Sequence, residues 1–314
     1  MDELIKSGYE VTVLTRNAAN ISSKWPQTRI IEVDYNSDNS LMEALEGQEA
    51  VVSTVAMSAI SNQPRMIDAA IAAGVKLFVP AEYTVNSRDT NAQAQPMMAS
   101  VVAIQRYLAS KEDEINWCVI NCGALLEFTL DHPVILDFDD RTALLWDGGD
   151  GVISLSDIPL LARAIAALLS RPDRVIDHRL RIHGGTITQN RALDLAKQYS
   201  QQEWKAEYAE SQEAYSTAIH KIMAGAADGQ AELMKNLMTA YGAAAFGKCD
   251  GHFEAAYAAT DNERLGVDMF TENEVEEAIR RRVTTGTFAT KSAATDAETL
   301  QDVTGDLVAT FNKA

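Results

Sequence analysis

The sequence predicts an α/β protein with a doubly wound parallel sheet and a smaller, mostly helical lobe at its C-terminal end. Two observations carry this prediction. Over residues 9–121, short β-branched runs alternate with amphipathic helical segments, and this alternation is typical of parallel strands joined by right-handed helical crossovers. After Gly123 the alternation stops, and residues 200–260 are rich in alanine and mostly helical in pattern.

Five apolar runs are predicted to be strands of the sheet, because each is rich in strand-forming residues and is bounded by turn residues. They cover residues 9–15, 29–34, 50–55, 75–79 and 116–121. Apolar residues at helical spacing predict helices in the connections between them. These helices cover residues 40–46, 63–73 and 101–108.

Beyond Gly123 the predicted elements follow a different plan. The run Asp147-Gly148-Gly149-Asp150-Gly151 is rich in turn residues and predicts a hairpin. A helix after Ser156, a strand at 179–183 and a helix at 189–199 follow. The predicted units are a sheet domain (1–150), a second lobe that partly returns to the sheet (151–283), and a C-terminal tail (284–314) with one helix near residues 300–311.

The composition is that of a globular protein and limits the classes of function. The chain has 314 residues, of which 46% are hydrophobic and 23% are charged, and its formal net charge is −18. So acidic a surface repels nucleic acid and anionic membranes, so neither is an expected partner. No apolar run reaches the roughly 18 residues that cross a bilayer. Three cysteines without zinc spacing predict reduced thiols, no metal site and a cytoplasmic protein.

The start of the chain resembles the second half of a dinucleotide-binding βαβ unit. Residues 4–8 have the pattern of a helix end closed by glycine, and residues 9–16 that of a strand ending in Arg16. The first strand of such a Rossmann-like unit, and its glycine-rich phosphate-binding loop, have no counterpart before Leu4. We expect an N-terminal truncation caused by a misplaced gene start; the alternative is a fold adapted to the loss.

Arg16 is the sharpest local signal for a ligand. At the end of the second strand of such a unit, an acidic residue binds the ribose hydroxyls of NAD, whereas an arginine pairs with the 2′-phosphate of NADP. Lys24 is a second candidate for the same phosphate. Arg16 therefore predicts NADP(H) as the cofactor; the alternative is a solvated arginine at a strand end.

Two further strand ends are predicted to border the cofactor. Small residues end the strand at 50–55, and small side chains at the carboxyl edge of a parallel sheet let a flat cofactor approach the backbone. The strand at 75–79 ends at a proline that is followed by an acid and an aromatic residue. The candidate residues are Ser53, Thr54, Val55, Ala56, Pro80, Glu82 and Tyr83. The alternatives are a buried strand end and a simple strand-to-loop transition.

Together these segments resemble the NmrA-like and isoflavone-reductase-like family of atypical short-chain dehydrogenases, and its fungal branch in particular. The resemblance spans roughly residues 4–280 and is carried by residues 8–16, 69–83 and 115–123, with the turn at 147–149 and the helix start at 188–190. Its most specific piece is Phe78-Val79-Pro80-Ala81-Glu82-Tyr83, which is similar to the family's Phe-x-Pro-Ser-Glu-Phe-Gly.

The resemblance implies NADPH binding and hydride transfer to a small metabolite, and secondary metabolism is the expected setting. The substrate is then expected between the sheet and the helical lobe, near Gly123, Leu126 and Phe128. Some members of the family bind the dinucleotide without turnover and act as redox sensors, so a non-catalytic regulatory protein is the alternative function. The identity of the substrate and the oligomeric state stay open.

One departure from the family concerns catalysis. The family's reductases carry a lysine in a Lys-x-x-Val-x-x-Tyr-Leu setting after this segment, and the lysine position falls here on Val101, which cannot relay a proton. The catalytic residues therefore stay open, with Glu82, Tyr83 and Ser100 as weak candidates. Tyr107 and Lys111 fit the Tyr-x-x-x-Lys pattern of ordinary short-chain dehydrogenases, but we predict a packed aromatic residue and a surface lysine there.

Overall fold

The central sheet has six strands, in the order β2-β1-β13-β3-β4-β5. The computed structural model describes residues 1–18, 25–170, 178–287 and 308–313. The strands are β1 (Tyr9–Thr15), β2 (Arg29–Glu32), β3 (Ala50–Ser53), β4 (Leu77–Val79), β5 (Asn116–Trp117), β6 (Val119–Asn121), β7 (Ala124–Leu125), β8 (Thr142–Trp146), β9 (Val152–Ser156), β10 (Arg179–Arg181), β11 (Gly185–Thr188), β12 (Lys205–Ala209) and β13 (Val308–Lys313).

The α-helices of the described residues alternate with the strands of the first half and dominate the second half. They are α1 (Asp2–Lys6), α2 (Asp38–Leu45), α3 (Gln63–Ala72), α4 (Thr90–Ala94), α5 (Ala99–Ala109), α6 (Leu126–Asp131), α7 (Ile158–Ser170), α8 (Gln189–Ser200), α9 (Ser211–Met223), α10 (Gln230–Phe246), α11 (Asn262–Leu265) and α12 (Glu272–Thr285). The α/β class and the parallel sheet predicted from the sequence are confirmed.

Strands β1, β3 and β4 bury residues on both faces, because helices cover each side. Successive residues of one strand point to opposite faces. Leu14 and Phe78 therefore pack with α2, α3 and α5 in one core. Their neighbours Val13 and Val79 pack with α1 and α7 in the other core. All four residues of β3 are buried, as a central strand between two helical layers requires.

The C-terminal strand β13 occupies the middle of the sheet. Its six residues run antiparallel to β1, from Tyr9 opposite Lys313 to Leu14 opposite Val308. On its other side it runs antiparallel to β3. The other pairs in this sheet, β1 with β2, β3 with β4 and β4 with β5, are all parallel. A strand from the far end of the chain thus joins the two halves of the sheet.

This arrangement bears on two expectations. The position between β1 and β3, where the sequence analysis finds a first strand missing, is filled by β13. The helix expected near residues 300–311 is wrong for residues 308–311, which are strand; the rest of that segment lies outside the described residues. The pairing satisfies backbone groups on both neighbouring strands, which outweighs any local helical preference.

The second lobe holds a core of its own, built around α8, α10 and α12. Its largest buried side chains include Trp146, Phe246 and Phe253. The hairpin predicted around Asp147–Gly151 is wrong. The strands on either side of this loop join different sheets: β8 pairs with β12, whereas β9 pairs with β11 and β7. The turn residues set a tight loop, but distant strands provide the hydrogen-bonding partners.

A buried arginine anchors α12 to this lobe. Arg282 is 4% exposed, and its guanidinium lies 3.0 Å from Asp131 and 2.5 Å from Asp139. The same group donates to the carbonyl of Leu130 at 2.9 Å. The charge is therefore paired inside the protein, as a buried cation requires. Within residues 1–18, 25–170, 178–287 and 308–313, no helix is long and apolar enough to span a membrane.

Replacing Thr310 with proline is expected to lower the free energy of unfolding by about 3 kcal/mol. Thr310 lies opposite Thr12 on one side and Val51 on the other. Proline has no amide proton and does not fit a central strand. The measurement is urea denaturation followed by circular dichroism. Thr310→Val, which keeps the amide and a β-branched side chain, is the control. A proline variant as stable as the control would contradict the position of β13.

Candidate functional site

The candidate site lies at the carboxyl edge of the parallel strands. The loops that follow β1, β2, β3 and β4 all leave the sheet at this edge, which is where open α/β sheets bind ligands. Because β13 is antiparallel, its first residue, Val308, also lies here, opposite Leu14 and Ser53. The chain therefore enters β13 from the side on which a ligand would be held.

Arg16 lies in an exposed turn directly after β1. The turn is shaped by two hydrogen bonds: the Asn17 amide donates to Thr15 Oγ1 at 3.2 Å, and the Ala18 amide donates to Glu32 Oε2 at 3.2 Å. These contacts hold the backbone on both sides of Arg16 while its side chain faces solvent. Lys24, the second candidate for the 2′-phosphate, lies outside the described residues.

Tyr35, which follows β2, is a candidate that the sequence analysis missed. Its hydroxyl donates to the carbonyl of Leu14 at 3.1 Å, so its ring lies beside the end of β1. Burial raises the pKa of Tyr35 well above its usual range, and the nearby Arg16 opposes this in part. An aromatic residue directly after the strand predicted at 29–34 was the available signal. Tyr35 and Arg16 together border the same corner of the edge.

The small residues after β3 form a second part of the edge. Ser53 is fully buried and Val55 is 8% exposed, whereas Thr54 is exposed and Ala56 is partly exposed. Only the last two therefore have surface to offer a ligand directly. The Ser53 hydroxyl has no hydrogen-bond partner among the described residues, and neither does the Gln63 amide nitrogen. The side-chain oxygen Oε1 of Gln63 accepts a hydrogen bond from the backbone amide of Ala81 at 2.9 Å.

Tyr83 connects two strand ends. Its hydroxyl donates to the carbonyl of Ser53 at 2.9 Å, which ties the loop after β4 to the end of β3. Burial raises the pKa of Tyr83 far above its usual range. Pro80 is buried and its carbonyl accepts from the Glu82 amide at 2.8 Å, so this loop turns sharply. The Tyr83 hydroxyl therefore stays neutral, and its hydrogen bond holds the loop after β4 against the end of β3.

Glu82 lies beneath the edge in a closed polar network. It is 2% exposed, and the Gln105 amide nitrogen lies 2.7 Å from both of its carboxyl oxygens. Gln105 in turn accepts a hydrogen bond from Arg179 at 2.6 Å. Burial raises the pKa of Glu82, while hydrogen bonds from Gln105, Ser87 and Asn121 oppose that rise. The network joins β4, α5, β6 and β10, and it leaves Glu82 little contact with solvent.

The start of α5 offers little chemistry. Val101, at the lysine position of the resembling reductases, is 6% exposed and packs in the core between α5 and the sheet. Ser100 is exposed beside it.

Tyr107 donates to Asp68 at 2.5 Å on the surface, and Lys111 pairs with Glu114 rather than with Tyr107. The structure therefore does not assemble the Tyr-x-x-x-Lys pattern into a catalytic pair.

The second lobe meets this edge along a junction, which we call the edge crevice. Thr84 lies on its sheet side, and the Thr84 carbonyl accepts from the Cys122 amide at 3.0 Å, from the Gly123 amide at 3.2 Å and from the Tyr257 hydroxyl at 3.2 Å. Partly exposed residues line it: Tyr83, Thr84, Ala124, Leu125 and Tyr241.

The three residues expected to contact the substrate differ in their burial and their surroundings. Gly123 has φ +69°, and a Cβ there would lie 2.4 Å from the Ser154 carbonyl oxygen, so only glycine fits. Leu126 is 4% exposed and packs in the core of the second lobe. Phe128 is 51% exposed and its ring lies 4.3 Å from that of His132. Of the three, Phe128 alone presents a large exposed surface.

A serine–histidine pair behind the crevice was not expected from the sequence. Ser154 Oγ lies 2.8 Å from His183 Nδ1 and accepts from the Tyr257 amide at 2.9 Å. Burial lowers the pKa of His183. Because Ser154 is fully buried, it is a structural link and not a nucleophile. In the part of the chain that the structure describes, no group of three or more metal-ligating side chains is assembled.

Replacing Glu82 with glutamine is expected to change how stability depends on pH. The folded protein holds the Glu82 proton more tightly than the unfolded chain, because the pKa is raised in the fold. The free energy of unfolding of the wild type therefore falls as pH rises from the usual pKa of glutamate, near 4.5, through the raised pKa of Glu82. Glu82→Gln lacks this loss, so its Tm relative to wild type should increase from pH 5 to pH 8.

The measurement is differential scanning calorimetry of both proteins across this pH range. Glu114→Gln, at a surface carboxylate paired with Lys111, is the control and should show no such trend. A Tm difference between Glu82→Gln and wild type that is constant with pH would contradict the raised pKa.

The chain is similar to one protein family, to a fungal protein and to two solved structures. Residues 1–131 match the NmrA-like family. The oxidoreductase aprR of Aspergillus flavus is 28% identical over 232 residues, which cover 72% of this chain and 77% of that protein. An isoflavone reductase structure superposes with a TM-score of 0.64 at 16% identity, covering 86% of this chain and 90% of that one. The NADPH complex of the Escherichia coli quinone oxidoreductase QOR2 gives 0.63 at 17% identity, with coverage of 90% and 93%.

These matches agree with the resemblance seen in the sequence. The family match covers β1 to β7 and ends with α6, and the structural matches extend over the second lobe. The chain is therefore similar to the NmrA-like family over residues 1–131, and it shares the fold of the isoflavone reductase structure over both lobes.

Proposed function

We propose that this protein is an NADP(H)-dependent oxidoreductase of the isoflavone-reductase type that acts on a small metabolite. The observation that carries the proposal is the position of Arg16, held in an exposed turn at the carboxyl end of β1 beside Tyr35. A guanidinium in this position suits a 2′-phosphate.

The names of the relatives support this proposal. The fungal relative is called an oxidoreductase. QOR2 is an NADPH-dependent quinone oxidoreductase. A further structure of the same fold, with a TM-score of 0.58, holds NADP⁺ and pinoresinol. We infer a substrate of comparable size, bound in the edge crevice. A role in secondary metabolism stays a prediction.

The residues present fit parts of the cofactor. Arg16 and Tyr35 border the end that would hold the adenosine 2′-phosphate. Thr54 and Ala56 offer small side chains near the other end. The buried hydroxyl of Ser53 and the side-chain amide nitrogen of Gln63 lie there without partners among the described residues. When bound, the cofactor supplies a hydride. In this proposal residues 1–150 hold it and the lobe at 151–283 closes over the substrate.

The chain's own residues then have separate roles. Arg16 binds and orients the phosphate end. Tyr83 holds the end of β3 against the loop after β4 through its bond to the Ser53 carbonyl. Glu82, fixed by Gln105, keeps that loop in place from below. The second lobe covers the crevice and limits the access of water to the reacting atoms.

One observation favours a second candidate, a redox sensor that binds NADP(H) without turnover. Val101 is buried in the core where the family's reductases carry a lysine, and Glu82 is enclosed. A sensor needs the binding residues but no proton donor. The two candidates differ in one result: both bind NADPH, but only the enzyme oxidises it in the presence of a quinone or conjugated carbonyl compound.

Replacing Arg16 with alanine is expected to weaken NADPH binding by roughly 10- to 100-fold, because a charge-assisted contact contributes about 1.5–3 kcal/mol. Binding of NADH, which lacks the 2′-phosphate, should change less than threefold. The measurement is a titration of each protein with both nucleotides, followed by nicotinamide fluorescence.

Arg29→Ala is the matched control, since Arg29 is exposed at the opposite, amino end of β2. It should bind both nucleotides like wild type. Equal affinity of the wild-type protein for NADPH and NADH, or no binding of either, would overturn the proposed cofactor.

A further inference from the structure

A carboxylate shares the corner of the edge that holds Arg16. Glu32 is the last residue of β2, and in the parallel pairing of β1 with β2 it lies opposite Thr15, the residue before Arg16. The Val33 amide donates to the Thr15 carbonyl at 2.9 Å, which continues this pairing by one residue. Glu32 and Arg16 therefore lie at the same corner of the sheet and carry opposite charges.

The Glu32 carboxylate is bound to the turn after β1. Its Oε2 accepts a hydrogen bond from the Ala18 amide at 3.2 Å, and the Asn17 amide donates to Thr15 Oγ1 at 3.2 Å. The two amides that follow Arg16 thus both have acceptors within the protein, and one of these acceptors is negatively charged. Backbone amides in turns are donors that bind phosphate groups. Glu32 therefore occupies a donor that a phosphate beside Arg16 can also use.

The carboxylate is accessible from solvent. Glu32 and Arg16 are both exposed, so a nucleotide can reach this corner without opening the core. The next acid along the chain, Asp34, is engaged in its own loop, where its Oδ1 accepts from the Asn36 amide at 2.9 Å. Glu32 is thus the acid that the structure binds to the turn of Arg16.

Glu32 acts differently on the two nicotinamide nucleotides. A phosphate monoester carries nearly two negative charges at neutral pH. A 2′-phosphate beside Arg16 therefore meets a like charge and competes with it for the Ala18 amide. NADH has a hydroxyl in the same place, and a carboxylate at a strand end accepts a hydrogen bond from a ribose hydroxyl. The same side chain thus opposes NADPH and tolerates NADH.

We propose that Glu32 is a specificity-determining residue that weakens the binding of NADPH and keeps the preference for NADPH over NADH small. The proposal rests on the proposed cofactor and extends it. Arg16 sets the direction of the preference, and Glu32 limits its size. NADPH binds either by displacing the Glu32 carboxylate from the Ala18 amide or by tolerating it nearby, and both lower its affinity.

A purely structural role of Glu32 predicts an effect of the opposite sign. If its bond to the Ala18 amide only shaped the turn that presents Arg16, a change at Glu32 would weaken NADPH binding. Glutamine separates the two roles, because its side-chain oxygen still accepts from the Ala18 amide but the side chain has no charge. Glu32→Gln therefore keeps the turn and removes the repulsion.

The test compares wild type, Glu32→Gln and the matched control Glu10→Gln in the full chain. Glu10 is exposed near the amino end of β1, roughly 17 Å along the strand from Thr15 at 3.3 Å per residue. Its replacement changes the net charge by the same amount. The measurements are the dissociation constants of NADPH and NADH from nicotinamide fluorescence, at low ionic strength and in high salt. Circular dichroism verifies that each variant is folded.

Glu32→Gln is expected to bind NADPH about two- to tenfold more tightly than wild type at low ionic strength, and NADH equally or more weakly. In about 0.5 M salt the gain should fall below about 1.5-fold, because exposed charges are screened. Glu10→Gln should bind both nucleotides like wild type.

An NADPH affinity of Glu32→Gln that is unchanged or weaker would overturn this inference. An equal gain for NADH, or the same gain in Glu10→Gln, would also overturn it. If NADPH binding still depends on Arg16 in any of these cases, the proposed cofactor stands. Absence of NADPH binding in both wild type and Glu32→Gln would overturn the inference together with the proposed cofactor.

Discussion

The fold depends on the insertion of β13 between β1 and β3. Without this strand the two halves of the sheet would each present unpaired amides and carbonyls in the interior, where no water is available to satisfy them. The pairing extends over six residues on the side of β1 and aligns the carboxyl ends of β1 and β3. The positions of Arg16 and Ser53 relative to each other, and therefore the candidate cofactor site, follow from it.

A second set of interactions joins the sheet to the helical lobe. The carbonyl of Thr84 accepts hydrogen bonds from the loop after β6 and from Tyr257 of the second lobe. Gln105 of α5 donates a hydrogen bond to Glu82 and holds it in place. These contacts are short-range and mostly buried, and they fix the loop after β4 relative to its neighbours.

The sequence predicted the parts of the fold that local pattern determines. Continuous apolar runs located β1, β3 and β4, and Gly47 and Gly74 marked the ends of α2 and α3 because only a left-handed residue closes these turns. The strand-end rule of parallel sheets brought Arg16, Ser53 and Tyr83 to one edge. Partners far apart in the chain were not predictable: neither β13 nor Tyr241 carries a local signal for where it packs, and the loop at Asp147 gave no information on which strands its neighbours would join.

The most direct measurement is hydrogen–deuterium exchange of the intact protein, resolved to peptides that cover residues 305–314, 9–16 and 48–54. The account predicts slow exchange in all three, with the amides of residues 308–313 protected as strongly as those of β1 and β3 and lost together with them in mild urea. Exchange of residues 308–313 within seconds, while β1 and β3 remain protected, would contradict the central position of β13 and the edge geometry built on it.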